Sequence, residues 1–176
     1  LVASDYDLKH VYRLILNSST YQQSPVPRSR HEKAEALFAH YIVRRLPAEV
    51  LIDALCTITG TSEKYMSAIP EPFTFIPEER RTISLADGSI TSPFLEMFGR
   101  PARDTGLESE RNDRPTGAQR LHLLNSTDIQ TRIERSPRLG KLLLGPKKEP
   151  GEKIRQVYLL ILSREPTEAE VAAITK

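Results

Sequence analysis

The stretch PAEVLIDALCTITG, residues 47–60, predicts a helix more directly than any other part of the chain. Pro47 stands where a first-turn proline is tolerated, and Gly60 follows the last periodic residue as a natural stop. Between them an apolar stripe recurs at helical spacing, formed by Leu51, Ala54, Leu55 and Ile58. We expect this helix to bury its stripe in a core.

The same reasoning predicts further helices on both sides of this stretch. On the N-terminal side, Ser4 is a candidate cap for a helix with Leu8, Val11, Tyr12 and Ile15 on one face. Residues 31–46 carry a second amphipathic pattern, which fits either a helix or an extended lead-in to the next one. Towards the C-terminus, helical spacing recurs at residues 116–125, 126–134, 152–165 and 166–176, the last opened by a capping box of Thr167 and Glu170.

The middle of the chain, residues 61–115, lacks a sustained period and is interrupted by prolines, so it predicts an irregular excursion. A small β-hairpin is expected where Ile83 and Leu85 alternate with polar residues before the turn dipeptide Asp87-Gly88. The resulting prediction is a mainly α-helical single domain over residues 1–176, with six to eight helices around one core and an irregular excursion at about 61–115.

The composition excludes several functional classes. The chain has 176 residues, 39% hydrophobic and 27% charged, with a net charge of only +2, which is typical of a globular domain and not of a nucleic-acid binder. Aromatic residues make up 6% and tryptophan is absent, which argues against a sugar-stacking surface. No apolar stretch has the length of a membrane span.

Residue types that carry catalysis or bind metals are sparse. Cys56 is the one cysteine, and its apolar helical setting favours an inert thiol over a nucleophile. The four histidines form no HExxH or similar pair, and the glycine motifs of dinucleotide, P-loop and nucleophile-elbow sites are absent. We therefore predict no catalytic residue and no metal ligand, although a metal site built from distant segments stays open.

The densest polar segment is FGRPARDTGLESERNDRP, residues 98–115, with four arginines and four acidic residues. At this spacing the arginines are expected to pair with the acids and so fold the segment on itself, as a structural or docking element. Cation or ligand binding by the carboxylates is the alternative, and catalysis is the least favoured. The candidate binding residues here are Arg100, Arg103, Asp104, Glu108, Glu110, Arg111 and Arg114.

A second pair of candidate binding residues, Arg44 and Arg45, precedes the helix predicted at residues 47–60. Guanidinium groups between two helices bind carboxylates, helix carbonyl ends or an anionic ligand. Structural ion pairing is the favoured role for both.

Four segments in this order resemble one known family: DLKHVYRLILNSSTYQQS, RRLPAEVLIDALCTITG, PFLEMFGRPARDTGLESERNDRPTGAQRLHLLNS and IRQVYLLILSREPTEAE. They are similar to the planctomycete cytochrome-associated domain, number 1553 in the series of domains of unknown function. The resemblance implies the C-terminal part of a large exported bacterial protein that carries a partner domain and often a cytochrome c-like haem domain. It implies an extracytoplasmic location and a haem, where present, in another domain, with no cofactor in this chain. It supplies no catalytic residues.

The sequence and the resemblance together predict a non-catalytic accessory or interaction module, in which the charged segment docks against a neighbouring domain of the same polypeptide. Nucleic acid is not an expected partner. Two alternatives stay open: part of an enzyme whose site a neighbouring domain completes, and a carbohydrate- or ligand-binding module.

Overall fold

A computed structural model shows that the chain is mainly α-helical, which confirms the predicted fold class. The structure describes residues 1–28, 31–65, 76, 81–85, 90, 92–101, 110–112, 114–145 and 149–175. These residues contain no β-strand. The chain divides into two compact units, residues 1–45 and 46–176.

The regular elements are short helices. Within the described residues they comprise 3₁₀ turns at Val2–Ser4 and Thr82–Ser84 and the α-helices α1 Leu8–Leu16, α2 Ala48–Thr59, α3 Pro93–Met97, α4 Gly117–Asn125, α5 Thr127–Glu134, α6 Pro137–Leu144, α7 Pro150–Leu162 and α8 Glu168–Ile174. Helix α1 belongs to the first unit and the other α-helices to the second. No helix among the described residues is long and apolar enough to cross a membrane.

Helix α1 begins one turn later than its sequence predicts. Asp5 and Tyr6 both have left-handed backbones, with φ of 49° and 60°, and so separate the first 3₁₀ turn from the helix. The carboxylate of Asp7 then accepts a hydrogen bond from the Lys9 N–H at 2.8 Å and caps the helix. The prediction that Ser4 caps α1 is therefore wrong.

The helix considered for residues 31–46 is also absent from the first unit. Residues 32–40 form successive turns, and Phe38 has a φ of 52°, which interrupts any right-handed helix. The chain then continues without regular structure to residue 47. In this irregular segment, the Tyr41 N–H donates to the carbonyl of Ser24 at 3.1 Å. A contact with a distant segment thus replaces the helical bond that the local pattern favours.

The core of the second unit forms where α2 packs against α3. Its fully buried hydrophobic residues are Ala48, Ile52, Leu95 and Phe98. The sequence does not predict α3, yet its start has clear causes: the Ser92 side chain accepts a hydrogen bond from the Leu95 N–H, and Pro93 occupies the first helical turn.

The hairpin expected near residues 83–90 is replaced, in its described part, by the 3₁₀ turn Thr82–Ser84. The carboxylate of Asp53 on α2 accepts hydrogen bonds from the N–H groups of Thr82 and Ile83, at 2.8 and 3.1 Å. The turn is thus capped from another helix, which the local alternation cannot reveal. The predicted turn dipeptide, Asp87-Gly88, lies outside the described residues.

The end of α2 is joined to the start of α6. Gly60 ends α2 with a φ of 72°, and a Cβ atom there would lie 3.2 Å from Cβ of Arg138, so both backbone and space favour glycine. The buried hydroxyl of Ser136 donates to the Thr59 carbonyl at 2.6 Å and accepts from the Leu139 N–H at 2.9 Å. One side chain therefore caps α6 and satisfies the last carbonyl of α2.

Replacing Ser136 with alanine is expected to lower the free energy of unfolding by about 2 kcal/mol, since it removes a helix cap and leaves a buried carbonyl without its partner. The matched control is Ser126→Ala, because Ser126 caps α5 through the Ile129 N–H and is less buried; we expect about 1 kcal/mol there. Urea unfolding of both variants, followed by circular dichroism, measures the difference. Equal losses would contradict the second role of Ser136.

Arginine–glutamate pairs fix the connection between α7 and α8 to both helices. Arg164 donates to both carboxylate oxygens of Glu170 at 2.9 and 2.7 Å, and Arg155 does the same to Glu165 at 2.8 and 2.7 Å. Glu170 also accepts from the Thr167 N–H, while the Thr167 hydroxyl accepts from the Glu170 N–H. This reciprocal pair confirms the predicted capping box.

Candidate functional site

The first turn of α2 carries a buried acidic side chain, Glu49, which is only 5% exposed. Arg111 binds it with both terminal nitrogens: Nη1 donates to Oε2 at 2.9 Å and Nη2 donates to Oε1 at 2.8 Å. Arg100, itself 8% exposed, places its Nε 3.6 Å from the same Oε1. One carboxylate therefore lies between two guanidinium groups, and we call these three residues the Glu49 clamp.

The arginines determine the ionisation of Glu49. Burial by itself raises the pKa of this carboxyl group, whereas the hydrogen bonds from Arg111 and the charges of Arg111 and Arg100 lower it. The net pKa lies below the ordinary value of 4.5. Glu49 is thus a charged acceptor at neutral pH, which suits an ion pair and not a general acid.

Local backbone geometry brings Arg100 to the clamp. Gly99, with a φ of 95°, follows α3 in the left-handed conformation that ends many helices. Its N–H donates to the Glu96 carbonyl at 3.0 Å, and the Arg100 N–H donates to the Leu95 carbonyl at 2.8 Å. This pair of bonds is a Schellman motif, and it turns the chain back at the position where Arg100 meets Glu49.

The segment between the two clamp arginines has its ends held together. The Asn112 N–H donates to the Gly99 carbonyl at 3.2 Å, which joins the residues just outside Arg100 and Arg111. The Gln119 side chain on α4 donates to the Met97 carbonyl at 2.8 Å, just behind this junction. We call residues 100–111 the anchored loop, because both of its ends are fixed to the core of the second unit.

Of the nine candidate binding residues, the described structure brings two, Arg100 and Arg111, to one partner. That partner is Glu49. The expected pairing of Arg100 and Arg111 with acidic residues of the segment 98–115 stays a prediction. Glu110 and Arg114 are exposed near the end of the anchored loop. In the first unit Arg44 is exposed and Arg45 half-buried. Three candidates lie outside the described residues: Arg103, Asp104 and Glu108.

The sequence also misses a second polar group, centred on Arg132 of α5. Its Nε donates to Asp128 at 2.8 Å, its Nη1 donates to the Thr61 hydroxyl at 3.3 Å, and its Nη2 donates to the Glu63 carboxylate. Nη1 also lies 3.6 Å from Sγ of Cys56. We call these five residues the Arg132 cluster. The contact with Asp128 is predictable from the sequence, because the two residues are four positions apart on one helix. The partners Thr61 and Glu63 lie about 70 residues from Arg132 in sequence, so no local spacing indicates them.

A small polar cavity of about 150 Å³ adjoins this cluster and is lined by Asp53, Cys56, Glu63, Arg81 and Thr82, among others. Burial raises the pKa of the Cys56 thiol, and the nearby charge of Arg132 offsets this only in part. The thiol is therefore protonated at neutral pH, and a protonated thiol is a poor nucleophile. This favours a structural role for the Arg132 cluster.

Metal-binding geometry is likewise not seen in the part of the chain that the structure describes. No group of three or more His, Cys, Asp or Glu side chains converges there. The feature that best combines fixed geometry with a dense set of charges is therefore the Glu49 clamp with its anchored loop.

A comparison with protein-family models gives a match over the whole sequence. A family model described as PSD1, protein of unknown function (DUF1553), covers residues 1–176. The comparisons with curated proteins and with solved structures give no match. The family model extends over both compact units, so the clamp and the anchored loop lie within the matched region.

Proposed function

Because this chain belongs to the DUF1553 family of proteins of unknown function, we propose a role for it from its own geometry. It is a non-catalytic interaction module, and its anchored loop docks against a neighbouring domain of the same extracytoplasmic polypeptide. The observation that carries this proposal is the Glu49 clamp, which holds both ends of a highly charged segment on the core of the second unit.

Anchoring makes a loop a better binding element. A segment whose ends are already held together loses less conformational freedom when a partner orders it, so more of the contact energy remains for binding. Compact surface loops with closed ends are often functional for this reason. Because the clamp already holds the ends of the loop, less conformational entropy is lost when a partner binds it. The clamp therefore supports a role of the loop in recognition.

The charges divide between two tasks in this proposal. Arg100 and Arg111 hold the loop, while positions between them, including Arg103, Asp104 and Glu108, contact the partner. A loop with both signs of charge favours a partner surface with a complementary mixed pattern. Such patterns contribute more to specificity and association rate than to affinity.

An apolar patch on α4, which starts soon after the loop, adds the second component of an interface. Leu121 and Leu124 are 61% and 80% exposed and lie three residues apart, so they share one face of the helix. Apolar centres with charged rims are the usual composition of specific interfaces. In the proposal the same neighbouring domain covers this face and the loop.

The test uses the complete polypeptide with a site-specific protease sequence inserted ahead of residue 1. After cleavage we expect the two pieces to co-elute in size-exclusion chromatography, and Arg103→Glu to weaken their association at least about tenfold, since one reversed charge in a desolvated contact exceeds 1.4 kcal/mol. Raising the salt concentration should weaken the wild-type association as well.

Lys141→Glu is the matched control, because Lys141 is an exposed base on α6, away from the anchored loop in sequence. It makes the same charge change and should leave co-elution intact. The proposal fails if the cleaved pieces never associate, or if Arg103→Glu and Lys141→Glu behave alike.

A further inference from the structure

The first unit contains a cavity of about 350 Å³ whose lining residues all belong to that unit. One wall comes from the segment between Ile15 and Gln23 and the other from the segment between Phe38 and Arg44. This volume lies within the range of small-molecule sites. The lining is mainly apolar and aromatic, and includes Ile15, Tyr21, Phe38, Tyr41 and Ile42.

One hydrogen bond and a ring contact join the two walls, and two further hydrogen bonds shape the first wall. The Tyr41 N–H donates to the Ser24 carbonyl at 3.1 Å, and the rings of Tyr21 and Tyr41 meet edge to face with centroids 6.0 Å apart. The Ser18 hydroxyl donates to the Ile15 carbonyl at 2.7 Å and accepts from the Tyr21 N–H at 3.2 Å. The cavity is thus built by specific contacts and is formed before any ligand arrives.

Two buried polar atoms belong to residues of this lining. Gln23 Oε1 and His40 Nδ1 are both shielded from solvent, and neither has a hydrogen-bond partner in the described part of the chain. Buried polar atoms are almost always paired in folded proteins, so two unpaired atoms, one in each wall of the same cavity, need an explanation. A ligand with a hydrogen-bonding group supplies one.

The backbone of the wall supports the same conclusion. Phe38 lines the cavity with a φ of 52°, a left-handed conformation that is rare for a bulky aromatic residue. Strain of this kind concentrates at ligand sites, where it positions a side chain that the relaxed backbone would direct elsewhere. Here it places an aromatic side chain in the cavity wall.

We propose that this cavity binds a small aromatic carboxylate that also carries a hydroxyl group. The aromatic ring packs against Tyr21, Phe38 and Tyr41, where offset and edge contacts between rings are favourable. The carboxylate pairs with Arg44, an exposed residue that lines the same cavity.

The hydroxyl meets both orphaned atoms. A hydroxyl group has one donor and two acceptor positions, so it donates to Gln23 Oε1 and accepts from His40 in the tautomer that is protonated at Nδ1. A plain methyl group in that position would leave both atoms unpaired. The cavity therefore recognises three groups of the ligand: its aromatic ring, its hydroxyl and its carboxylate.

The test measures binding to the full 176-residue chain by isothermal titration calorimetry with three probes. The probe with all three features is 4-hydroxyphenylacetate, while phenylacetate lacks the hydroxyl and 4-methylphenol lacks the carboxylate. We expect 4-hydroxyphenylacetate to bind at least about tenfold more tightly than either comparator, because phenylacetate leaves the buried atoms of Gln23 and His40 unpaired and 4-methylphenol lacks the charged pair with Arg44. Absence of binding, or equal binding of all three, would overturn the proposal.

Two variants assign the contacts. Gln23→Leu should weaken 4-hydroxyphenylacetate to the level of phenylacetate and leave phenylacetate itself unchanged. Arg44→Gln should weaken both carboxylates and leave 4-methylphenol unchanged, whereas the control Arg13→Gln, an exposed arginine on α1, should change none of them. If Gln23→Leu does not fold, the exposed Arg44 position decides the matter, and carboxylate binding that is unaffected by Arg44→Gln contradicts the assignment.

Discussion

Replacing Arg111 with methionine is expected to lower the free energy of unfolding by about 3 kcal/mol at neutral pH. Methionine keeps most of the aliphatic volume but removes both hydrogen bonds to Glu49, which is left buried with one arginine at 3.6 Å. Removing one partner of a buried ion pair costs about 3–5 kcal/mol, because an incompletely compensated charge remains. Urea unfolding followed by circular dichroism measures the loss, and the exposed Arg120→Met on α4 should cost less than about 0.5 kcal/mol.

The loss should also depend on pH. The folded state lowers the pKa of Glu49 below its ordinary 4.5, so the clamp adds stability that is present above pH 4.5 and lost as the pH falls through the lower, folded-state value. The gap between wild type and Arg111→Met should therefore be constant near neutrality and shrink as the pH falls below 4.5. A gap that widens on acidification would contradict the clamp.

Replacing Leu95 with alanine is expected to cost about 3 kcal/mol, within the range of about 2–5 kcal/mol for emptying a buried leucine site. Leu95 is 0% exposed and packs with Ile52 and Phe98, so the lost methyl groups leave a cavity. The matched control is Leu144→Ala on α6, because Leu144 is 88% exposed and should lose less than about 0.5 kcal/mol.

The midpoint of urea unfolding should fall for Leu95→Ala with little change in the dependence on urea concentration, since the surface exposed on unfolding stays nearly the same. A similar loss for Leu95→Ala and Leu144→Ala would show that the core of the second unit is centred elsewhere.

Local signals explain which helices the sequence predicts. Helix α2 has its apolar spacing, Pro47 at its N-cap and Gly60 at its end, and α8 has the Thr167 capping box, so both follow from residues in or next to a single helix. The five-residue helix α3 is too short to show a period. Residues 31–46 have a helical pattern but do not form a helix, because the left-handed backbone of Phe38 and the bond from Tyr41 to Ser24 take precedence.

The sequence predicts the two arginines of the candidate site but not their acidic partner. The density of charge draws attention to Arg100 and Arg111, but their common partner, Glu49, lies in a helix whose local pattern is fully explained by packing. An acidic residue in a first helical turn is favoured by the helix dipole anyway, so Glu49 carries no distinctive signal. Glu49 meets the arginines because α2 packs against α3 in the folded chain, and local sequence spacing does not predict this packing.

The separation of the clamp residues along the chain has a consequence for the order of folding. Glu49 and Arg111 are 62 residues apart, and a contact of that range forms only after its loop-closure entropy has been overcome by other contacts. The helices α2 and α3 must therefore meet before the charged segment is fastened at both ends. A nascent or misfolded chain lacks the fastened loop, so in the proposed function the neighbouring domain engages only a copy that has completed its fold.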